Sequence, residues 1–368
     1  FYWVCQSCNF FMAASTDTEL LNRLEIAEGD PKCPICQAKP PASEQKPRLY
    51  KIPKAFTTDW SEQPKVTPYS KPMRQPTSQV FLAQEGDNAE PQSFEFFELI
   101  VSQGGQFFLS NQGPLEEGRG FKNRGFAICK RCGRDLSKEV RRNQRNRSRQ
   151  PKNSTQNSRQ INHTHPITGS ICEGWYDHTH LGHEFRSDLL KIRFTAAANP
   201  PNLFGSVIHL DGGREIHSDT DSDVEQANTP ANGTAFWRSL TYALLAAAAQ
   251  IIDVPRSELD GLFRPLEESN AETAEIIIYD NVPGGAGYSK RIANHFSEIL
   301  QRAYQLVESC SCGSSCYDCL RTYTNQIFHH ELDRQLVSYF LRPIVERLEP
   351  DQLLQSFAPD ANLSLIHI

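Results

Sequence analysis

Eleven cysteines, nearly all in close pairs, constrain this 368-residue chain more than any other feature. Cys5-x-x-Cys8 is matched by Cys33-x-x-Cys36, and Cys129-x-x-Cys132 is followed at a distance by Cys172. Cys310, Cys312, Cys316 and Cys319 complete the set between two helix-forming stretches. A Cys-x-x-Cys turn aims two thiolates at one ion, and four sulfurs converge on zinc as a tetrahedron with Zn–S bonds of about 2.3 Å. No basic stretch, apolar core and cleavage site opens the sequence, so the pairs read as metal ligands rather than disulfides.

The cysteines divide four, three and four, and a histidine is the natural fourth ligand of the middle set. His165 is the expected ligand, because His165 and Cys172 meet across a Pro/Gly turn; His163 is its rival, with His178 and His180 further off. The expectation is three structural Zn2+ ions. A catalytic alternative at the middle site leaves one position to water, with Glu173 or Glu184 as base. A redox switch is the alternative for the last four cysteines.

The net charge of −6 argues against a surface uniformly coated by nucleic acid. One segment departs from it. Residues 137–162 are polar and basic, with Arg141, Arg142, Arg145, Arg147 and Arg149, then Lys152 and Arg159. Such a loop suits phosphate contact without sequence readout, or is simply solvated. The apolar run 236–252 carries Arg238, Ser239, Thr241 and Gln250, and falls short of the roughly 20 apolar residues of a membrane span. The expected location is cytoplasmic, with no membrane partner. Residues 363–368 (LSLIHI) can be encoded by a transposon sequencing adapter and, with Phe1 at the start, mark the chain as an expected fragment.

The expected fold class is α+β in several modules. A four-cysteine zinc ribbon occupies 1–45, a β-rich module 46–120, and a mixed α/β zinc-binding domain 121–348, with its knuckle at 310–319. Within the last module, 185–194 and 275–279 read as strands. The run 236–252 reads as a helix capped by Thr234, 288–308 as an amphipathic helix, and 334–348 as a helix broken or kinked at Pro343. A further polar loop is expected over 217–232. Gly313 is expected to give the knuckle its backbone freedom.

Pro283-Gly284-Gly285-Ala286-Gly287 stands between strand and helix, where a phosphate loop stands, but Gly287-Tyr288-Ser289-Lys290 lacks the Lys-Ser/Thr of nucleotide binding. It either offers backbone N–H groups to a phosphate or lets helix and strand approach closely. Asp280, His183, Glu184 and Asp188 are either an acidic–histidine site or buried groups that fix turns.

Several stretches carry a resemblance: Ala127 to Gly133, Leu181 to Asp188, Ser239 to Leu245, Ile278 to Tyr288 and the cysteine knuckle through Leu320. In that order, residues 121–345 resemble the zinc-binding accessory domain of mitomycin-repair-type superfamily 2 DEAD/DEAH helicases. The domain also occurs in DISARM-type phage defence proteins. The resemblance implies zinc at Cys310, Cys312, Cys316 and Cys319, and support of a helicase motor on DNA. The N-terminal ribbon, the β module and the basic insertion lie outside it. With no Walker A or DEAH-like motif in these residues, the chain alone is expected not to hydrolyse ATP. Its expected partners are DNA and helicase motor domains, in the same chain or as a separate protein. The alternative is a stand-alone zinc-stabilised scaffold or DNA-binding component of a phage-defence system.

Overall fold

The apolar runs 97–101 and 185–194 and the isoleucine-rich run 275–279 form the middle of one antiparallel sheet. In the computed structural model, the described residues are 1–5, 10–23, 32–35, 48–53, 78–113, 125–140, 163–203, 232–266, 273–282 and 284–348. The chain begins with β1 (Tyr2–Val4), β2 (Phe11–Ala13) and α1 (Asp17–Arg23), then β3 (Tyr50–Lys51), β4 (Ser78–Gln84), β5 (Asp87–Asn88) and β6 (Gln92–Ser93). There follow β7 (Phe97–Asn111), β8 (Phe126–Cys129), β9 (His163–Thr164), β10 (Ile171–Cys172) and β11 (Trp175–Phe194). The last part holds α2 (Asn232–Ile251), β12 (Leu259–Pro265), β13 (Ala274–Asp280), α3 (Tyr288–Asn294), α4 (Phe296–Glu308) and α5 (Arg334–Arg347).

The fold is α+β. The main sheet runs β12-β13-β11-β7-β4, each strand antiparallel to the next, with β3 and β8 added to β11 and β5 and β6 to β7. All seven residues of β13 are buried, as a strand covered on both faces requires. One face, with Leu99, Leu190, Ile192, Ile276 and Ile278, lies in the core with α2, α4 and α5. Helix α2 is apolar almost all round (Phe236, Trp237, Leu240 and Leu244 are fully buried), which is why it sits inside rather than on the surface.

On the other face Leu82, Phe107, Leu189, Ile277 and Tyr279 are buried in a cluster made, among the described residues, only of sheet residues. The sheet therefore covers this face itself, by curling. Lys191, only 2% exposed, donates from Nζ to Glu85 just beyond β4, at 2.7 Å. Glu85 also pairs with Arg264 on β12, so the two ends of the strand order share an ion-pair cluster that includes Glu275 and Arg193. The result is an open barrel with one apolar end and one charge-paired end inside. A bulge helps it bend: Ser187 pairs with Gly105 but Leu189 with Ser102. There Gly104 has φ +69°, its N–H donates to Asp188 Oδ1, and a Cβ on Gly105 would stand 2.4 Å from Leu189.

Several sequence expectations change. The segments 46–120 and 121–348 share one sheet, since β4 and β7 come from the first and β11 and β13 from the second. Strand β11 starts at Trp175 rather than 185, because its first half (WYDHTHLGHE) is polar and carries a kink at His178, φ +52°. The stretch 288–308 is two helices that meet at His295. Helix α2 begins at Asn232, so Thr234 lies in its first turn rather than at its cap. Helix α5 is continuous through Pro343. Residues 137–140 are helical, with Val140 buried, so the structured part extends into the expected loop. The arginines at 141–149, the rest of the insertion to 162, residues 217–231 and 363–368 lie outside the described residues.

Candidate metal centres

Helix α4 ends at Glu308, and the next turn closes Cys310, Cys312, Cys316 and Cys319 on one another. Their sulfurs stand 3.4 Å (Cys310–Cys312), 3.5 Å (Cys310–Cys316), 3.7 Å (Cys312–Cys319) and 3.8 Å (Cys316–Cys319) apart. A tetrahedron with Zn–S bonds of about 2.3 Å has S···S edges of about 3.8 Å, so the four thiols fit one zinc ion. The backbone serves the same geometry. Cys316 N–H donates to Cys319 Sγ at 3.2 Å, and Cys316 O accepts from the N–H groups of Leu320 and Arg321.

The guanidinium of Arg334, first residue of α5, donates to Cys312 O at 2.8 Å and to Val307 O at 3.0 Å, pinning the knuckle between α4 and α5. Asn325 Nδ2 donates to Leu320 O. Gly313 keeps an ordinary φ and its Cβ position is open, so the knuckle closes without the freedom of a glycine there. The Cys310 thiol is lowered to about 7, chiefly by the Cys312 backbone N–H, whereas burial pushes Cys312 up to about 12. Four thiols at these distances cannot all carry charge unless a cation offsets them.

The second group is Cys129, Cys132, His163 and Cys172, whose ligand atoms lie within 4.8 Å of one another. Cys129 ends β8; the turn after it passes through Gly133 (φ +75°) and directs the N–H of Arg131 at Cys129 Sγ, 3.3 Å. Strands β9 and β10 supply the rest, because Cys172 pairs directly with His163. His163 Nε2 stands 3.2 Å from Cys132 Sγ. Its buried Nδ1 has no partner among the described residues, and burial lowers its pKa, which favours the neutral imidazole that binds metal.

His165, the expected ligand, is not in this group. The turn 165–170 fixes the register: His165 N–H donates to Ser170 O and Gly169 N–H to His165 O. His165 therefore faces Ser170, two pairs beyond Cys172, and its Nδ1 accepts from Ile167 N and Thr168 N. Three sulfurs and one nitrogen make a four-donor set that leaves no open position, the arrangement of a structural site. Glu173 is exposed at its edge, and Glu184 accepts from Gln106 at 3.3 Å; neither belongs to the set.

Cys5 and Cys33 of the first expected site are both buried in the main core, beside Trp3 and Leu20, and the Cys5 N–H donates to Phe10 O in the β1–β2 turn. Cys8 and Cys36 lie outside the described residues.

The other motifs resolve as structure. The Asp280 carboxylate is fully buried and accepts from Ala286 N (2.7 Å), Tyr288 N (3.0 Å), Ser289 N (3.0 Å) and Ser289 Oγ (2.7 Å). It fills the place a phosphate would take at the glycine loop. A Cβ on Gly285 (φ +80°) would stand 2.6 Å from Asp188, which marks a close approach. His183 stacks on Phe185 and is exposed, so the four acidic and histidine groups do not converge.

Residues 240–320 match the family model of the MrfA Zn-binding domain, and all four cysteines of the knuckle fall inside the match. The chain is 30% identical over 177 residues, 48% of its length, to Druantia protein DruE of Escherichia coli (strain UMEA 4076-1). It is 36% identical over 62 residues, 17% of its length, to the uncharacterized ATP-dependent helicase YprA of Bacillus subtilis (strain 168). These stretches cover 9% of DruE and 8% of YprA. Among solved structures, that of DUF1998 helicase MrfA bound to DNA aligns over 73% of this chain and 24% of its own, at 12% identity and TM-score 0.35. The knuckle's geometry and this match agree: the four thiols that fit one zinc ion lie within residues 240–320, the stretch that is similar to the MrfA Zn-binding domain.

Proposed function

We propose that the chain is the zinc-bearing accessory region of a superfamily 2 DNA helicase, in which structural zinc sites support DNA contact by the motor. The observation that carries this reading is the four-thiol knuckle, at tetrahedral spacing, inside a matched zinc-binding domain. In this reading three zinc ions are held. Cys310, Cys312, Cys316 and Cys319 bind one, Cys129, Cys132, His163 and Cys172 a second, and Cys5, Cys8, Cys33 and Cys36 a third. Zinc here supplies charge neutralisation and cross-linking of loops, not chemistry. The knuckle ties α4 to α5, and the second site ties β8 to the β9–β10 hairpin beside the long strand β11.

DNA contact falls in this reading to Arg141, Arg142, Arg145, Arg147 and Arg149, reinforced by the exposed Lys130, Arg131, Arg134 and Lys138 on the turn and helix before them. The test is binding of the purified chain to a fluorescent DNA duplex across a salt series. Neutralising the five arginines to glutamine should flatten the slope of log K against log salt by about 0.9 per lost phosphate contact. An unchanged slope with unchanged zinc content sinks the DNA assignment of that segment. Fewer than two zinc ions per chain by elemental analysis sinks the three-site arrangement.

A further inference from the structure

The open barrel has a gap in its wall. Its five-strand path ends on β4 and β12, and a cavity of about 290 Å³ is lined by consecutive residues of both, Ser78 to Ala83 and Asp260 to Pro265. Consecutive residues point to alternate faces, so the cavity borders the two strand edges rather than one sheet face. Among the described residues neither outer edge has a main-chain partner. Side chains stand in instead: Gly261 N–H donates to the Asp260 carboxylate at 2.8 Å, and Leu259 O accepts from Arg256 at 3.1 Å. Partly buried N–H and C=O groups in two facing rows call for a hydrogen-bonding chain.

Strand direction says which way that chain runs. Each step along β12-β13-β11-β7-β4 is antiparallel, so the two end strands run parallel to each other. A single strand between them, antiparallel to both, turns five strands into a closed antiparallel barrel of six. Its one face would meet the apolar interior at Leu82 and Leu262, and its other the side of Thr241 and Tyr242. The cations at the cavity are already paired: Arg264 with Glu85 and Glu275, and Arg238 with Glu331 at 2.6 Å. Among the described residues at the cavity, no surplus positive charge remains for a nucleic-acid backbone.

We propose that this gap is a strand-acceptor groove, which takes an uncharged, extended segment of about six residues (about 20 Å) from a second polypeptide, by β-augmentation. The probe is a capped peptide of alternating valine and threonine, added at millimolar concentration to the full zinc-loaded chain and followed by amide hydrogen exchange. The outward amides of 78–84 and 259–264, those that do not bond β7 or β13, should exchange faster than the inward ones without peptide and slow about tenfold or more with it. The same peptide N-methylated at alternate residues keeps its side chains but loses the donors of one edge, so it cannot bond both strands and should give no protection. The proposal is overturned by protection already complete in the free chain (its own segment covers the groove), by equal protection by the N-methylated peptide (an apolar slot), or by protection by a thymidine dodecamer instead. Absence of any protection by the plain peptide also overturns it.

Discussion

At the scale of single residues, the register of a two-strand ladder brings His163, and not His165, to Cys172. In the sequence both histidines precede Cys172 across the same Pro/Gly turn, and the turn length alone does not say which residue faces the cysteine. The hydrogen bond from Gly169 N to His165 O fixes that length, and with it the pairing of Cys172 with His163. The cysteines themselves were legible because Cys-x-x-Cys spacing encodes its own turn. A ligand brought by strand register is not, because register depends on tertiary contacts. His163→Ala should lower zinc by about one ion per chain and His165→Ala should leave it unchanged, as read by elemental analysis of both variants. Loss of zinc from the His165 variant alone would restore the first expectation.

At the scale of elements, composition revealed those whose two faces are both apolar, α2 and β13, and hid those made of polar residues. The first half of β11 is such a case, as it is held by β8 over Trp175–Thr179, by β3 at His180 and Leu181, and by β7 from Leu181 onward. The β1–β2 hairpin is docked there by another polar contact: the Tyr2 hydroxyl hydrogen-bonds His180 Nδ1 on β11 and Ser110 Oγ on β7, the latter at 2.7 Å. His180 is 3% exposed, its Nε2 has no partner among the described residues, and burial takes its pKa from the usual 6.5 down to about 3.

A histidine with a depressed folded pKa binds fewer protons when folded, so its stability contribution is intact above pH 6.5 and is lost as pH falls from there toward 3. Between pH 7 and 5.5 the chain should lose about 1 kcal/mol that a His180→Asn variant does not lose. Urea unfolding of both proteins at the two pH values measures the difference. Since zinc release at pH 5.5 affects both alike, equal losses would mean that His180 already takes up a proton in the fold.

At the scale of the whole molecule, the three-module reading placed a boundary near residue 120, where Pro-, Gln- and Ser-rich sequence gives way to the second cysteine set. Composition changes there, but strand pairing does not respect it. Strand β7 meets β11 through thirteen residue pairs, from Leu181–Asn111 to Phe194–Phe97. Its Phe97 and Leu99 enter the helix-packed core, while Phe107 enters the barrel interior. A fragment of 121–348 would leave one side of β11 unpaired and expose Leu189, Leu190 and Ile192, all fully buried in the chain. Burying a large aliphatic side chain contributes about 1.5–3 kcal/mol, and folded domains are stable by only about 5–15 kcal/mol, so losing this set removes most of the margin. The fragment 121–348 should therefore show no cooperative urea transition, even with its knuckle loaded with zinc. Extending it to 78–348 restores β4 to β7 and should restore the transition. If 121–348 unfolds cooperatively by itself, the resemblance drawn over 121–345 delimits a self-sufficient unit after all, and β4 and β7 are additions to a sheet that closes without them.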